Sequence, residues 1–350
     1  MIGYGTGVTV ADFHPETRSY FSGRRVAVSG GAGFIGSHVV EQLLLLGATP
    51  VVPSRQENPR FLQHLGTAVE TKLCDLEDLE STREAIRGAS VVMSLAGHVG
   101  GVRYNQSRPA SLFTSNLTPF TNTLSAAAEL EVDRFLVTSS ACVYASDCTV
   151  PTPESEGFVG IPEQTNVGYG WAKRMEEFLG SAYAQEFGLE VAIARPYNAY
   201  GPRDDSRIDR CHVIPALINK AMAANSGEFK VWGDGATTRS FLFVDDFARG
   251  LLEITARHPI SEALNLGGDD MHTIRELAQI IGGIVSEARG EKIEPVFGDE
   301  GPTGQILRGC DTSKLKAALE FCPKISLHDG LQKTINWFVE NENHALHSHS

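Results

Sequence analysis

The chain has 350 residues, 42% of them hydrophobic, which is ample for a large core in one big domain or two linked ones. Its formal net charge of −13 argues against nucleic acid and anionic membranes as partners, but leaves an anionic small molecule open wherever arginines gather. The N-terminus lacks a basic start followed by an apolar run, so no signal peptide is expected, and no apolar run is long enough to span a bilayer. Six cysteines (74, 142, 148, 211, 310 and 322) are scattered without paired metal-ligand spacing. They read as reduced thiols of a cytoplasmic protein, with no metal site and no disulfide framework.

Residues 1–22 read as a loosely ordered N-terminal extension. "RRVAVSGGAGFIGSHVVEQLLLLG" then reads as strand, glycine turn and helix, and "ATPVVPS" as a second strand. "TAVETKLCDL" is a third strand, with a helix near 78–87 behind it. "ASVVMSLAG" is a fourth. A long helix around 109–131 precedes a fifth strand, "DRFLVTSS". A helix around 168–187 leads into a sixth, "EVAIARPYNAYGP". Strands alternating with helices predict an α/β fold, a Rossmann-type doubly wound parallel sheet covered on both faces. After about residue 203 the rhythm changes to amphipathic helices and short strands, a smaller α/β C-terminal lobe. The expected division is 23–203 for the dinucleotide-binding domain, with 239–257 returning to it, and 204–238 with 258–341 for the second lobe. Residues 342–350, with three histidines, read as a flexible tail.

Gly30, Gly33 and Gly36 lie between the first strand and its helix, where glycine permits a tight turn and close approach of backbone to a pyrophosphate. Phe34 and Ile35 share that turn. The second strand decides which dinucleotide binds. NAD sites carry an acidic residue there for the ribose 2′-hydroxyl. Here the strand ends "VVPSRQ", with no carboxylate until Glu57. Ser54 and Arg55 suit a 2′-phosphate, so NADP(H) is favoured and NAD stays open. Asp75 suits the adenine amino group or, alternatively, a helix cap. Leu76 and Ala96 complete the expected cofactor set.

Tyr169 and Lys173 stand in "YGWAK", four apart and so on one helix face. A tyrosine is a poor acid at neutral pH, and a neighbouring ammonium pulls its pKa down. Ser140, ending the fifth strand, can hydrogen-bond the same reacting oxygen. With the glycine turn, this constellation resembles the extended short-chain dehydrogenase/reductase family over nearly the whole chain. The resemblance implies a nucleotide-diphosphate sugar, GDP-linked by preference, in the cleft between the lobes, and hydride exchange with a nicotinamide. It implies substrate roles for Asn198 in "RPYNAYGP" and Arg239 in "WGDGATTRSF", a bidentate guanidinium matching a diphosphate. Arg308 is similar in place to a second phosphate-side residue. Val213, Lys220, Val231 and Trp232 are carried over with them, and His98 as a pocket residue.

Cys142 in "SSACVYASDC" is the further signal. Two branches of that family, the GDP-L-fucose synthases and the GDP-mannose 3,5-epimerases, have a cysteine there that exchanges a proton beside a keto group. Such an inversion needs one acid/base on each face of the sugar. His212 in "CHVIPALINKA" resembles the second group of the synthase branch. "SSAC", "WGDG" and "TRSF" are closer to the epimerase branch. The resemblance therefore implies an epimerase/reductase of a 4-keto sugar, acting at carbon 3, carbon 5 or both. Alternatives are a redox-neutral epimerase holding NAD tightly, or a plain 4-keto reductase. Family members are commonly homodimers joined through two helices, here around 109–131 and 168–187.

Overall fold

The computed structural model describes residues 7–100, 102–207, 211–225, 227–298 and 307–347. Within them the N-terminal segment is not the loose lead-in expected. A turn of 3-10 helix at Val10–Asp12 runs into α1 (Pro15–Phe21). That helix starts on Pro15 and on His14 Nδ1, which accepts from Glu16 N at 3.3 Å. Phe13 and Phe21 are buried, and Thr17 Oγ1 donates to Glu253 Oε2 at 2.6 Å, so apolar burial and a buried carboxylate order the segment.

The alternating part follows as β1 (Arg25–Ser29), α2 (Phe34–Leu45), β2 (Thr49–Ser54), β3 (Glu70–Leu73), α3 (Leu79–Ile86) and β4 (Val91–Ser94). Then come α4 (Val102–Ser107), α5 (Pro109–Glu129), β5 (Arg134–Thr138), α6 (Val167–Phe187) and β6 (Glu190–Pro196). The single sixth strand expected over "EVAIARPYNAYGP" is two. Pro196 has no N–H to continue the ladder, and β7 (Asn198–Tyr200) leaves to pair with another sheet. The rest is α7 (Val213–Met222), β8 (Glu228–Trp232), β9 (Thr238–Phe243), α8 (Val244–Arg257) and β10 (Ile260–Leu266). It continues with β11 (Met271–Thr273), α9 (Ile274–Arg289), β12 (Glu294–Gly298), β13 (Leu307–Arg308), α10 (Ser313–Leu319) and α11 (Leu327–His347). The tail expected over 342–350 is thus helical to His347; Met1 to Thr6, Gly101 and residues 348–350 lie outside the described residues.

The main sheet has seven strands in the order β10-β6-β5-β4-β1-β2-β3, every pairing parallel. This is the Rossmann-type doubly wound arrangement, with its switch of direction between β1 and β4. β10 is a correction to the expected division, which put residues 258–266 in the second lobe. Its alternation is hidden by a register shift between Ile260 and Ala263 and by Ser261 at φ 60°. α8 packs on α1, α2 and β6, so 244–257 lies against the main sheet, whereas β9 lies in a second sheet with β7, β11 and β13. β8 and β12 form a two-stranded pair. One apolar core joins Val26, Val28, Val40 and Leu43 to Leu251 of α8; another joins Ile218, Phe229, Ile281 and Ile335 beneath the second sheet. No helix among the described residues is long and apolar enough to cross a membrane.

Candidate active site

The end of β1 turns sharply through Gly30, at φ 74°, into α2. A Cβ on Gly30 would lie 2.7 Å from Ala96 N, so this turn abuts the chain just after β4, at the switch point. A Cβ on Gly36 would lie 2.1 Å from Gly30 O, which is why α2 can press its first turn against the loop. Gly33 is the N-cap and contributes no side-chain cap, leaving the first N–H groups of α2 free to face an anion. This cradle of backbone fits a dinucleotide pyrophosphate. Phe34 and Ile35 are half-buried and pack against the second core, Ile35 also against the first.

At the far end, Ser54 closes β2 with its Oγ accepting from Gln56 N at 3.0 Å, and Arg55 is exposed beside it. Asp75 is exposed and its Oδ1 accepts from Glu77 N at 3.0 Å. The helix-cap alternative for Asp75 falls to Asp78, whose Oδ1 accepts from Ser81 N at 2.6 Å. Leu76 is half-buried, with its carbonyl accepting from Asn122 at 2.9 Å.

Ser140, Cys142, Tyr169 and Lys173 come together where β5 ends. Ser140 caps a single 3-10 turn over Ala141–Val143, its Oγ accepting from Cys142 N at 3.2 Å. Gly170 lets α6 close on this turn, since a Cβ there would lie 2.4 Å from Cys142 O. Tyr169 lies close enough to Ser140 for the hydroxyl to favour its phenolate. Burial raises its pKa, and Lys173 and Ser140 pull against that without cancelling it. The lowering expected from the ammonium is thus present but outweighed. Lys173 is buried, with Nζ 5.5 Å from the Tyr169 ring centre, donating to Thr138 O at 3.0 Å and Glu176 Oε2 at 2.8 Å. All six cysteines are free, and Cys148 Sγ lies 3.3 Å from Thr152 Oγ1.

Arg308 is not simply at a phosphate position. Its Nη2 lies 3.5 Å from Cys142 Sγ and its Nη1 3.7 Å from Glu163 Oε2. A guanidinium beside sulfur stabilises negative charge developing there. In register, Arg308 stands next to Arg239, and Arg239 stands across from His272. Burial, and then Arg308, push Arg239 down to about 10. Asn198 Nδ2 donates to Ser240 O at 2.9 Å on the same β9 strand.

His212 caps α7, with Nδ1 3.5 Å from Asp204 Oδ1. The His212 side chain is exposed, and its hydrogen bond to Asp204 raises its pKa. Its neighbours Ile208, Asp209 and Arg210 lie outside the described residues. Val213 is half-buried and Val231 fully buried in the second core. Lys220 Nζ sits 4.3 Å over the ring of Trp232, which is 59% exposed. His98 is exposed and stacks on Tyr104, its Nε2 2.9 Å from Tyr104 Oη.

Sequence reasoning missed Glu163, Glu176 and two asparagines. Glu163 is buried beside Arg308 and accepts from Asn166 Nδ2 at 3.0 Å; Asn105 donates to Asn166 Oδ1 at 2.6 Å and accepts from Gly100 N at 3.0 Å. A polar chain therefore runs from the loop after β4 to the thiol. The tripeptide "GYG" was the available signal for close helix approach; nothing local marks the two glutamates. Among the described residues no cluster of three or more His, Cys, Asp or Glu side chains is arranged for a metal ion.

Residues 26–267 match the model of the NAD dependent epimerase/dehydratase family. The chain belongs to that family. As a member it is an NAD(P)-dependent enzyme of the extended short-chain dehydrogenase/reductase type. It is 33% identical over 338 residues to a probable GDP-L-fucose synthase 1 of Oryza sativa subsp. japonica, covering 95% of this chain and 97% of that one. It is 31% identical over 330 residues to a dTDP-4-dehydro-6-deoxy-D-allose reductase of Streptomyces sp (92% and 98%). To GDP-mannose 3,5-epimerase 1 of Oryza sativa subsp. japonica it is 31% identical over 320 residues (90% and 82%). Among solved structures it resembles the UDP-glucose 4-epimerase of Thermotoga maritima, with TM-score 0.78 and 27% identity over 91% of this chain and 99% of that one.

Proposed function

We propose that the chain is a nucleotide-sugar epimerase/reductase acting on an NDP-linked 4-keto sugar, GDP being the favoured nucleotide. The observation that carries this reading is the thiol of Cys142. It stands beside the Ser140–Tyr169–Lys173 group and 3.5 Å from the half-buried guanidinium of Arg308. A thiolate there takes the proton from a carbon next to the keto group, giving an enolate. His212 returns a proton to the opposite face, inverting carbon 3, carbon 5 or both. Ser140 and Tyr169 hydrogen-bond the keto oxygen. A nicotinamide cofactor held at the glycine turn would supply the hydride for the keto carbon; Tyr169 O–H would give the proton to the keto oxygen, with Lys173 tuning the phenol. Arg239 and Asn198 would hold the diphosphate, and Trp232 with Lys220 offers an exposed ring and ammonium for the base.

NADP(H) is favoured because β2 ends in Ser54 and Arg55 with no carboxylate. A homodimer through α5 and α6 is supported by Trp171 and Phe178, 37% and 59% exposed and two turns apart on α6. The free thiols fit a reducing, cytoplasmic setting. Similarity to a GDP-mannose 3,5-epimerase supports, as second reading, a redox-neutral inversion with NAD retained. The test is incubation with GDP-4-keto-6-deoxymannose in deuterated water, with and without NADPH, followed by NMR. Deuterium entry beside the keto group that is lost in Cys142→Ser and His212→Asn, with reduction dependent on NADPH, is the expected result. Reduction without deuterium entry would leave a plain 4-keto reductase. Inversion of an unoxidised GDP-sugar with no net NADPH use would favour the redox-neutral enzyme.

A further inference from the structure

An ion pair three residues apart on a helix is ordinarily a solvated surface contact worth little. Lys173 and Glu176 are such a pair, yet their side chains are only 5% and 2% exposed. Glu176 Oε2 accepts from Lys173 Nζ at 2.8 Å, and Oε1 has no hydrogen-bond partner among the described residues. A carboxylate half-satisfied in a dry site is costly, and its charge acts at close range on whatever surrounds it. The adjacent Glu177 is spent otherwise. It accepts from Arg195 at 2.8 and 2.7 Å and from Ser139 Oγ.

We infer that Glu176 is a positioning residue of the proton-transfer group: its carboxylate offsets the Lys173 ammonium and so sets the pH at which the Tyr169–Lys173 pair loses a proton. This rests on the reading of Tyr169 and Lys173 given above. The groups facing Glu176 are few. On α6 they are Tyr169, Lys173 and Glu177; from β5 comes the Thr138 carbonyl that shares the lysine. Cys142 acts on Tyr169 and Lys173 from the 3-10 turn, with Arg308 of β13 behind it, and Arg195 of β6 neutralises Glu177. Burial pushes the Glu176 carboxyl up to about 7 despite Lys173, so the offset switches on across neutral pH. Below that point the uncompensated ammonium favours phenolate at Tyr169. Above it the carboxylate opposes phenolate.

The test is an ultraviolet difference titration of phenolate on NADP-loaded enzyme, wild type against Tyr169→Phe, repeated in a Glu176→Gln background. Removing the negative charge must move phenolate formation to lower pH. At one fixed alkaline pH below the midpoint, the phenolate fraction of Tyr169 rises about tenfold. Glu176→Asp, which keeps the charge, must shift less than Glu176→Gln. Glu176→Ala removes the same charge on a good helix former and must shift the same way, should the glutamine variant misfold. No shift, a shift to higher pH, or equal shifts in the aspartate and glutamine variants overturns the inference. Hydride transfer to GDP-4-keto-6-deoxymannose surviving in Tyr169→Phe would instead overturn the reading beneath it.

Discussion

Gly36→Ala and Gly33→Ala separate two roles of the glycine turn. At Gly36 an ideal Cβ would stand 2.1 Å from Gly30 O, 2.7 Å from Gly30 C and 2.7 Å from Gly31 Cα. All three are backbone atoms, so no side chain can swing aside. Relief needs α2 to move about 1 Å away from the turn, and Val39, Val40 and Leu43 of that helix are fully buried. Overpacking of this kind costs about 3 kcal/mol. At roughly 2 °C per kcal/mol for a chain of this size, the melting temperature falls by about 6 °C. At Gly33 the nearest contact is Gly30 O at 3.3 Å, and the position is exposed. Its methyl costs the fold about 0.5 kcal/mol, but on the proposed reading it stands where a cofactor pyrophosphate would approach the helix end, so NADPH affinity is expected to fall at least about tenfold. Calorimetric melts paired with NADPH titrations distinguish the two. A Gly36→Ala enzyme that melts with wild type, or a Gly33→Ala enzyme that melts lower than Gly36→Ala, would refute the reasoning.

Arg195→Met leaves Glu177 as an unpaired buried carboxylate, since Arg195 supplies two of its hydrogen bonds; the expected loss is about 3–5 kcal/mol in urea unfolding, and a loss under about 1 kcal/mol would be inconsistent with a buried pair. Asp204→Asn removes the carboxylate charge that raises His212, so His212 must lose its proton at lower pH than in the wild type; an NMR titration of its ring proton checks the sign. If His212 delivers a proton to the sugar, the alkaline limb of deuterium exchange retreats with it. Alkylation of Cys142 by iodoacetamide, followed peptide by peptide in a mass spectrometer, should slow about tenfold in Arg308→Met, because the guanidinium 3.5 Å away no longer stabilises charge on sulfur; unchanged alkylation would separate Arg308 from the thiol.

The strands of the main sheet from β1 to β6 were legible because buried parallel strands are short apolar runs closed by turn residues. β10 was not, since its register shift and the positive φ of Ser261 spoil the period. Strand β13 is two residues long and exists only through its pairing with β9, so no local pattern announces it. The same tertiary pairing carries Arg308 to Cys142, a contact between residues 166 apart. Tyr169 and Lys173 could be read from helical spacing alone. Glu163 and Glu176 could not, because an acidic residue near a helix start or on a helix face is ordinarily solvated, and only the packed fold buries these two.

The docking of the N-terminal segment sets a schedule for synthesis. Gly7 N donates to Asp245, and His14 N and Thr17 donate to Glu253, across separations of 236 to 239 residues. This segment thus waits for α8, at roughly 5–20 residues per second on the order of tens of seconds, before its partners exist. During that interval Phe13 and Phe21 lack the α8 part of their core, Phe247, Leu251 and Leu252. A chaperone that engages nascent apolar segments would meet Phe13 and Phe21 well before α8, and the emergence of that helix would release it.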